Sequence, residues 1–532
     1  MKTARIAGLL ALAANAGAQS LVLSVPGEPL PGATVTGAFG IGLGQLGDLD
    51  GDGHDDLLIG SPSDHRAPNP AVGTVRVVSG RTGLVLAVWT SPSPSAGSRF
   101  GTSVAGVGDV DGDGAPDFLV GEPDWNQGQG RALLISGRGP VLASLPAQQA
   151  ADELGGTVEA AGDLDGDGSG DFLVTNHDRL RPRPPLRWRA FSGANLSVLH
   201  DQRSTRAKQV VSGGNVDGDG HADLLMADIT ASPGGSNVGT VQILSGQNLR
   251  VVASITGSAL HDYYGQQVRM VGDVNGDGRD DFAAFGWHSG LRVHGLSPGV
   301  RQYGPSFTPA YAPDDLAPLG DIDADGHDDF AVGVEFGGQQ LDFVSGATIQ
   351  STWTERNWNA LGFAARVQRV GDIDADGVED VAVAAPFGER SGLTPQVFVY
   401  SVASRSLRAD RFRVPLPTGG SQSLQLDFGP AAAGHTFVML GTWSGVLPGT
   451  QLGSLHVPIN LDAYTLSMLS GVSLATPQVG SLGPLGEATS RVTLPPGLPT
   501  SLAGWTFHHA ALTLDAAGVR AVSQAVPVTT VR

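Results

Sequence analysis

Asp48-Leu49-Asp50-Gly51-Asp52-Gly53-His54-Asp55-Asp56 sets carboxylates at positions 1, 3, 5 and 9 of a nine-residue stretch, and the rest of the chain is read from it. Side chains crowded this way repel one another unless a cation sits among them. The pattern returns six more times. The side-chain oxygens are Asp109, Asp111, Asp113 and Asp117; Asp163, Asp165, Asp167 and Asp171; Asn215, Asp217, Asp219 and Asp223. They continue as Asp273, Asn275, Asp277 and Asp281; Asp321, Asp323, Asp325 and Asp329; Asp372, Asp374, Asp376 and Asp380. Successive starts lie 61, 54, 52, 58, 48 and 51 residues apart, so one supersecondary unit is stacked repeatedly.

Position 6 is glycine in all seven copies, where the chain must turn sharply around an ion. Position 7 has no consistent side chain: His54, Ala115, Ser169, His221, Arg279, His327 and Val378. It is expected to offer its backbone carbonyl, as the seventh position of an EF-hand does. An all-oxygen, carboxylate-rich set suits Ca²⁺; Mg²⁺ demands a tighter octahedron and zinc prefers nitrogen or sulfur. About seven Ca²⁺ are therefore expected, most weakly held where Asn215 and Asn275 each remove a charge. An EF-hand itself is excluded. It needs a bidentate Glu at position 12, which here is Ile59, Val120, Val174, Met226, Ala284, Val332 or Val383. Short β-type runs such as Asp56-Leu57-Leu58-Ile59-Gly60 follow each loop, so the loops belong in hairpins. A single Asp-Gly stretch would read as an ordinary turn; seven with the same ligand positions do not.

Three further marks recur. Phe39-Gly40, Phe100-Gly101, Leu154-Gly155, Tyr264-Gly265 and Leu361-Gly362 precede their loops, and units four and six lack the pair. Gly60-Ser61-Pro62 and Gly121-Glu122-Pro123 follow the strand after the loop, with Ala385-Pro386 in the last unit. A later β run ends in Ser79-Gly80, Ser136-Gly137, Ser192-Gly193, Ser245-Gly246 and Ser345-Gly346, with His294-Gly295 in unit five. Over residues 30–403 this combination resembles the FG-GAP repeats of the integrin α-chain head and their bacterial relatives. The resemblance implies a seven-bladed β-propeller with calcium loops on one rim and an extracellular binding or adhesion role. Counting agrees, since about 50 residues hold the four short strands of one blade. A β segment near Leu21–Val25 is placed to pair with the last blade and close the ring.

The first residues read as a secretory leader: Lys2 and Arg5, the apolar run Ile6–Ala14, then Ala16-Gly17-Ala18 before Gln19. No apolar run approaches the roughly 20 residues of a membrane-spanning helix. The domains expected are the leader at 1–18, the propeller at 19–403, a linker at 404–415 and a β-sandwich at 416–532. The sandwich is read from alternating runs at Ser423–Phe428, Thr436–Trp443, Ser454–Ile459, Ser490–Leu494, Trp505–Leu514 and Ala521–Val531. The fold class is thus all-β. The net charge is −20, and half of the 52 acidic residues are loop ligands, so the acidity reports metal sites and argues against nucleic acid as a partner.

Catalytic patterns are weak. Gly295-Leu-Ser297-Pro-Gly299 matches a nucleophile elbow, but Pro298 and the residues after it read as a turn rather than the helix such an elbow needs. His508-His509 on a strand face opposite ways and read as a surface-plus-core pair. There is no P-loop, dinucleotide fingerprint or cysteine nucleophile. One stretch breaks the acidic character: Arg179, Arg181, Arg183, Arg187 and Arg189, with Trp188. It reads as either a solvated loop or a contact for an anionic glycan or acidic protein surface. The longer connections Ser61–Val72 and Asn176–Arg187, with Trp125, are the expected recognition surface. The function expected is an extracellular calcium-dependent binding or adhesion module. The alternative is a secreted enzyme acting on polysaccharide or lipid, against which stands the lack of a segment large enough for a catalytic domain.

Overall fold

The computed structural model describes the chain from residue 21 to 531. In its first part it leaves out residues 28–37, 65–71, 148, 150–151, 177–184, 233–235, 297–300, 308–312, 323–325, 336–338, 358–359, 361, 374–378 and 388–393; past 402 it leaves out most connections between strands. The leader and Ser297 lie outside the described residues. Two compact units are found, Leu21–Ser401 and Val402–Arg532.

The first unit is a seven-bladed β-propeller of four-stranded antiparallel sheets. In the first blade the strands are Gly42–Gly47, Asp56–Ser61, Thr74–Val78 and Val85–Trp89. Blades two to six repeat this over residues 104–146, 157–204, 209–256, 267–307 and 315–356. Runs such as Leu57-Leu58-Ile59 and Phe118-Leu119-Val120 carry no polar alternation because each blade is covered on both faces by its neighbours. All three residues of each run are fully buried. The fourth strand of a blade, such as Val85–Trp89, keeps an exposed side.

The first strands of successive blades pack against one another, and that of blade seven meets that of blade one. Closure uses the chain's beginning. Leu21–Pro26 pairs antiparallel with Gln396–Tyr400 and supplies the fourth strand of a blade whose other strands are Arg366–Arg369 and Val381–Ala385. Joining first and last segments in one sheet leaves no long sheet edge at the seam.

The Phe-Gly mark is a blade-to-blade wedge. Phe39, Phe100, Leu154 and Tyr264 are all fully buried. Phe100 sits among Leu58, Val75 and Val77 of blade one and Phe118 and Leu133 of blade two. The following glycine donates its N–H to the end of its own blade's second strand, as from Gly101 to the Gly121 carbonyl at 3.0 Å. The second-strand glycine is needed because the next blade's wedge lies against it. A Cβ on Gly121 would overlap the Gly155 carbonyl oxygen, and one on Gly60 that of Gly101. This geometry corrects the seventh mark. The Phe363 N–H and Ala365 N–H bonds and the positive φ of Ala364 (65°) align Phe363-Ala364, not Leu361-Gly362, with Phe39-Gly40. In units four and six the same strand-end bond comes from Lys208 and Asp314.

The second unit is a β-sandwich. Leu407–Ala409, Gly420–Asp427, Glu487–Leu494 and Ala475–Thr476 form one sheet. Arg413–Pro415, Val526–Val531, Thr506–Asp515, Thr436–Thr442 and Val479–Ser481 form the other, with Gly518–Val522 paired to Thr506–Asp515. Leu424, Leu426, Val492 and Leu494 from the first meet Phe437, Met439, Phe507 and Ala511 from the second in one core. The run at Ala521–Val531 is two strands rather than one, and among the described residues Leu455–Val457 pairs only with Thr450–Leu452. His509 is the core half of its pair: it is fully buried, with Nε2 2.8 Å from the Tyr464 hydroxyl.

Val25 lies in the closing core with Phe39, Val397 and Val399. Val25→Ala should cost about 2 kcal/mol in urea unfolding of the full chain. Val85→Ala on the exposed fourth strand should stay within about 0.5 kcal/mol.

Candidate metal centres

Each acidic loop joins the first and second strands of a blade, so the loops share one rim. Backbone amides hold the carboxylates in place. In the first loop Asp48 Oδ1 accepts the N–H groups of Gly51 (2.7 Å) and Asp52 (3.0 Å), and Oδ2 that of Gly53 (2.8 Å). Asp50 accepts from Asp52 and Asp52 from His54. The second and third loops repeat the set with Asp109 and Asp163 as hubs. These short side-chain-to-backbone turns are why Asp and Gly alternate here, and they leave Oδ2 of Asp48, Asp109 and Asp163, which accepts a single N–H, a lone pair for another partner.

Position 9 differs from the rest. Asp56, Asp117, Asp171, Asp223, Asp281, Asp329 and Asp380 open the second strands and are at most 2% exposed. One oxygen accepts the position-2 N–H, from Leu49, Val110, Leu164, Val216, Ile322 and Ile373 at 2.7–3.2 Å. The other accepts the N–H of the Ser-Gly glycine: Gly80, Gly137, Gly193 and Gly346 at 2.8–3.2 Å. That explains a mark the sequence shows without a reason. A Cβ on any of Gly80, Gly137, Gly193, Gly246 or Gly346 would overlap the carbonyl oxygen of loop position 8. The buried carboxylate thus fastens loop, second strand and third-strand end together.

Burial pushes the carboxyls of Asp56, Asp117, Asp171, Asp223 and Asp281 up, to about 6 for Asp56 and Asp223 and about 7 for Asp281; the amide hydrogen bonds oppose the shift and neighbouring loop carboxylates add to it. A cation at the site would favour the ionised form.

Ligand oxygens of Asp48, Asp50 and Asp56 all lie within 4.8 Å of one another. So do those of Asp109, Asp111 and Asp117; of Asp163, Asp165 and Asp171; and of Asp217, Asp219 and Asp223. Oxygens bound to one Ca²⁺ at roughly 2.3–2.6 Å lie no more than about 5 Å apart, so each group fits a single hard cation. Asp52, Asp113 and Asp167 stand at the loop apex beside the first three groups. Asn215 accepts the Gly218 N–H at 2.8 Å in place of its loop's first carboxylate. In the fifth loop Asp273 accepts from Asp277 and Gly278, while the Asn275 amide donates to both Asp281 oxygens at 2.8 and 2.7 Å. With the amide nitrogen turned inward, that loop is not assembled as the first four are. Asp321 keeps its bond to the Gly326 N–H. Asp372, Asp380, Asp321 and Asp329 are described, but Asp323, Asp325, Asp374, Asp376 and Val378 lie outside the described residues.

The arginine run is corrected in part. Arg187 pairs with Asp201 (2.5 Å) and Asp152 (3.5 Å), Arg189 with Asp201 (3.4 Å), and Arg203 with Asp152. Trp188 is 2% exposed and packed in the core, so Arg187, Arg189 and Trp188 belong to the framework of blade three. Arg179, Arg181 and Arg183 lie outside the described residues. Trp125, at the opposite rim from the acidic loops, has Arg131 over its ring at 4.2 Å and donates to Ser93 Oγ at 3.2 Å.

Gly137→Ala should destabilise the chain by about 2 kcal/mol, because the added methyl meets the Pro116 carbonyl oxygen at 2.3 Å, main chain that cannot turn aside, as well as Leu49 Cδ1 at 2.7 Å. Urea unfolding of the variant beside Gly170→Ala, which likewise lacks a positive φ but meets nothing within 4 Å, isolates the overlap.

A family model described as an FG-GAP-like repeat matches residues 48–120, from the first loop into the second strand of blade two. The chain is 32% identical to human integrin alpha-7 over 161 residues, 28% of this chain and 13% of that protein. It is 37% identical to human integrin alpha-IIb over 109 residues (20% and 10%) and 26% identical to chicken integrin alpha-8 over 243 residues (45% and 19%). The matched segments therefore span less than a fifth of these relatives' own length. Among the described residues no helix is long and apolar enough to cross a membrane. With seven four-stranded blades and their acidic loops, the chain carries FG-GAP-like repeats and is integrin-alpha-like in its propeller.

Proposed function

We propose that the chain is an extracellular calcium-binding propeller acting as a binding or adhesion module for a glycan or protein ligand. The observation that carries this reading is the repetition of one oxygen-lined loop on a single rim, built by the same amide bonds in the loops of blades one to three. Such loops stiffen their rim and leave the connections at the opposite rim free to differ in sequence. In this reading the side chains at positions 1, 3, 5 and 9 and the carbonyl at position 7 hold about seven Ca²⁺. The leader directs export, into surroundings where millimolar calcium keeps weak loops filled. The chain is divided as leader 1–18, propeller 19–403, linker 404–415 and sandwich 416–532. The likeness to integrin alpha chains supports a binding rather than a catalytic role.

Metal analysis after dialysis at millimolar calcium should find close to seven ions per chain; fewer than about four would refute the full set. Thermal unfolding should occur at higher temperature with calcium than with chelator, since the ion binds the folded loops by preference. Asp113→Ala should lower the calcium-bound melting temperature more than Asp219→Ala, whose loop already lacks a charge at Asn215. Superimposable scans with and without chelator would show the loops to be vestigial.

The recognition surface is assigned to the connections at 61–72 and 176–187 with the Trp125 rim. A glycan and surface-protein array, run with calcium and with chelator, identifies the ligand class. Arg181→Glu with Arg183→Glu should then abolish binding at unchanged calcium content and melting temperature. Unchanged affinity would return these arginines to a solvated loop.

A further inference from the structure

The sequence assigns positions 7 and 8 of the loops no side-chain role, yet both reach the loop of the preceding blade. His54 Nδ1 lies 2.8 Å from the Ile373 carbonyl oxygen of loop seven, and His327 Nδ1 lies 2.9 Å from that of Val274 in loop five. Arg279 Nη1 donates to the Asp217 carbonyl of loop four at 2.7 Å. Position 8 adds a main-chain bond to the first ligand residue of that same neighbour. The Ala222 N–H reaches the Asp163 carbonyl (2.8 Å), Asp280 that of Asn215 (3.3 Å), Asp328 that of Asp273 (3.0 Å) and Asp55 that of Asp372 (3.4 Å). Two of these acidic side chains return the bond: Asp280 accepts the Asn215 N–H at 2.7 Å and Asp328 the Asp273 N–H at 2.8 Å.

Position 4 shows the same contact from the other side. A Cβ on Gly218 would lie 2.8 Å from Arg279 Cζ and one on Gly276 3.3 Å from His327 Cε1, while one on Gly166 would overlap the His221 ring. Gly51 and Gly112 have nothing within 4 Å, and the residues that follow them in the next blade are the short Ala115 and Ser169. At blade two the link is also impossible through the main chain, because position 8 is Pro116, which has no N–H. Among the described residues no link runs from Ser169 or Gly170 to loop two.

We propose that the cation loops are coupled in an arc. Loops three, four, five and six are joined in series and loop seven is joined to loop one, whereas loop two binds alone. This rests on the calcium reading above. The physical basis is that the position-1 residue of the upstream loop is both a cation ligand and the anchor of the downstream loop. Ordering one loop around an ion therefore orders part of the next site before its own ion arrives, and the second ion meets a lower entropic cost. In this scheme the side chains of Arg279 and His327 position the neighbouring loop, and only their backbone carbonyls are assigned to the ion.

Calcium titration by calorimetry, with metal content measured in parallel, tests the arc in the full chain. Asp113→Ala should remove one ion and leave the remaining affinities unchanged. Asp277→Ala should remove its own ion and weaken neighbouring sites by about 5- to 10-fold. Arg279→Ala and His327→Ala, which delete no ligand, should keep the ion count and weaken one neighbouring site by a similar factor. Amide hydrogen exchange should show loop-four amides losing calcium-dependent protection in Arg279→Ala, a readout that ligand loss elsewhere does not produce. If Asp277→Ala and Asp113→Ala behave alike and Arg279→Ala titrates as the parent chain, the coupling is overturned and the sites are independent. If the parent chain takes up no calcium, the metal reading itself falls.

Discussion

A carboxylate buried at the start of each second strand is the constraint on which the blades depend. Taking such a group out of water costs free energy unless its oxygens find donors, and in blades one, two, three and six it finds two kinds. One oxygen takes the N–H at loop position 2 and the other takes the N–H of a glycine some 20 residues on, as Asp117 does with Val110 and Gly137. Three segments of one blade are thereby fixed to a single side chain. Because the same carboxylate also faces the acidic loop, the local fold and the cation site share an atom group. The raised values of Asp56, Asp223 and Asp281 express the tension between burial and charge that a bound cation would relieve.

The ring is held by a different contact. Blades meet through apolar wedges at Phe39, Phe100, Leu154, Tyr264 and Phe363, seated where the neighbouring second strand ends in a residue small enough to admit a carbonyl. Within a blade the order is hydrogen-bonded and polar at one end; between blades it is steric and apolar. This division explains why units four and six tolerate loss of the Phe-Gly pair. Lys208 and Asp314 still make the strand-end bond through their main chain, which asks nothing of the side chain. It also explains Ala364 at φ 65°, since the wedge requires the left-handed turn more than it requires glycine itself.

Much of this was legible in the sequence because repetition turns weak signals into strong ones. Loop positions 1, 3, 5, 6 and 9, the hairpin setting, the blade count and the closing segment at Leu21–Pro26 all appear in register with the period. Misreadings arose where position within the unit was inferred from residue type alone. Leu361-Gly362 looks like the wedge pair, yet Gly362 fills the preceding left-handed position and Phe363 is the wedge. The arginine run read as either a solvated loop or an anion contact, but Arg187 and Arg189 start a buried third strand whose partner strand carries Asp201. A cation two residues from another cation on a strand shares its face, and the acid that satisfies both lies across the sheet, out of sight of a linear reading.

Positions 7 and 8 were illegible for a related reason. Their partners lie 53 to 65 residues upstream among the first three residues of another unit's loop, or at the far end of the chain for His54 and Ile373, 319 residues away. Comparing the units column by column shows only variety there: His, Ala, Ser, Arg and Val. The variety has an order once each residue is set beside position 4 of the preceding unit, where a long side chain rests on a glycine and a short one leaves it open. What a repeat protein keeps constant builds the unit; what it varies in matched pairs across the unit boundary decides how strongly neighbouring units feel one another. In this propeller those boundaries are unequal, so the rim is better described as linked runs of loops, with blade two outside them, than as seven equivalent sites.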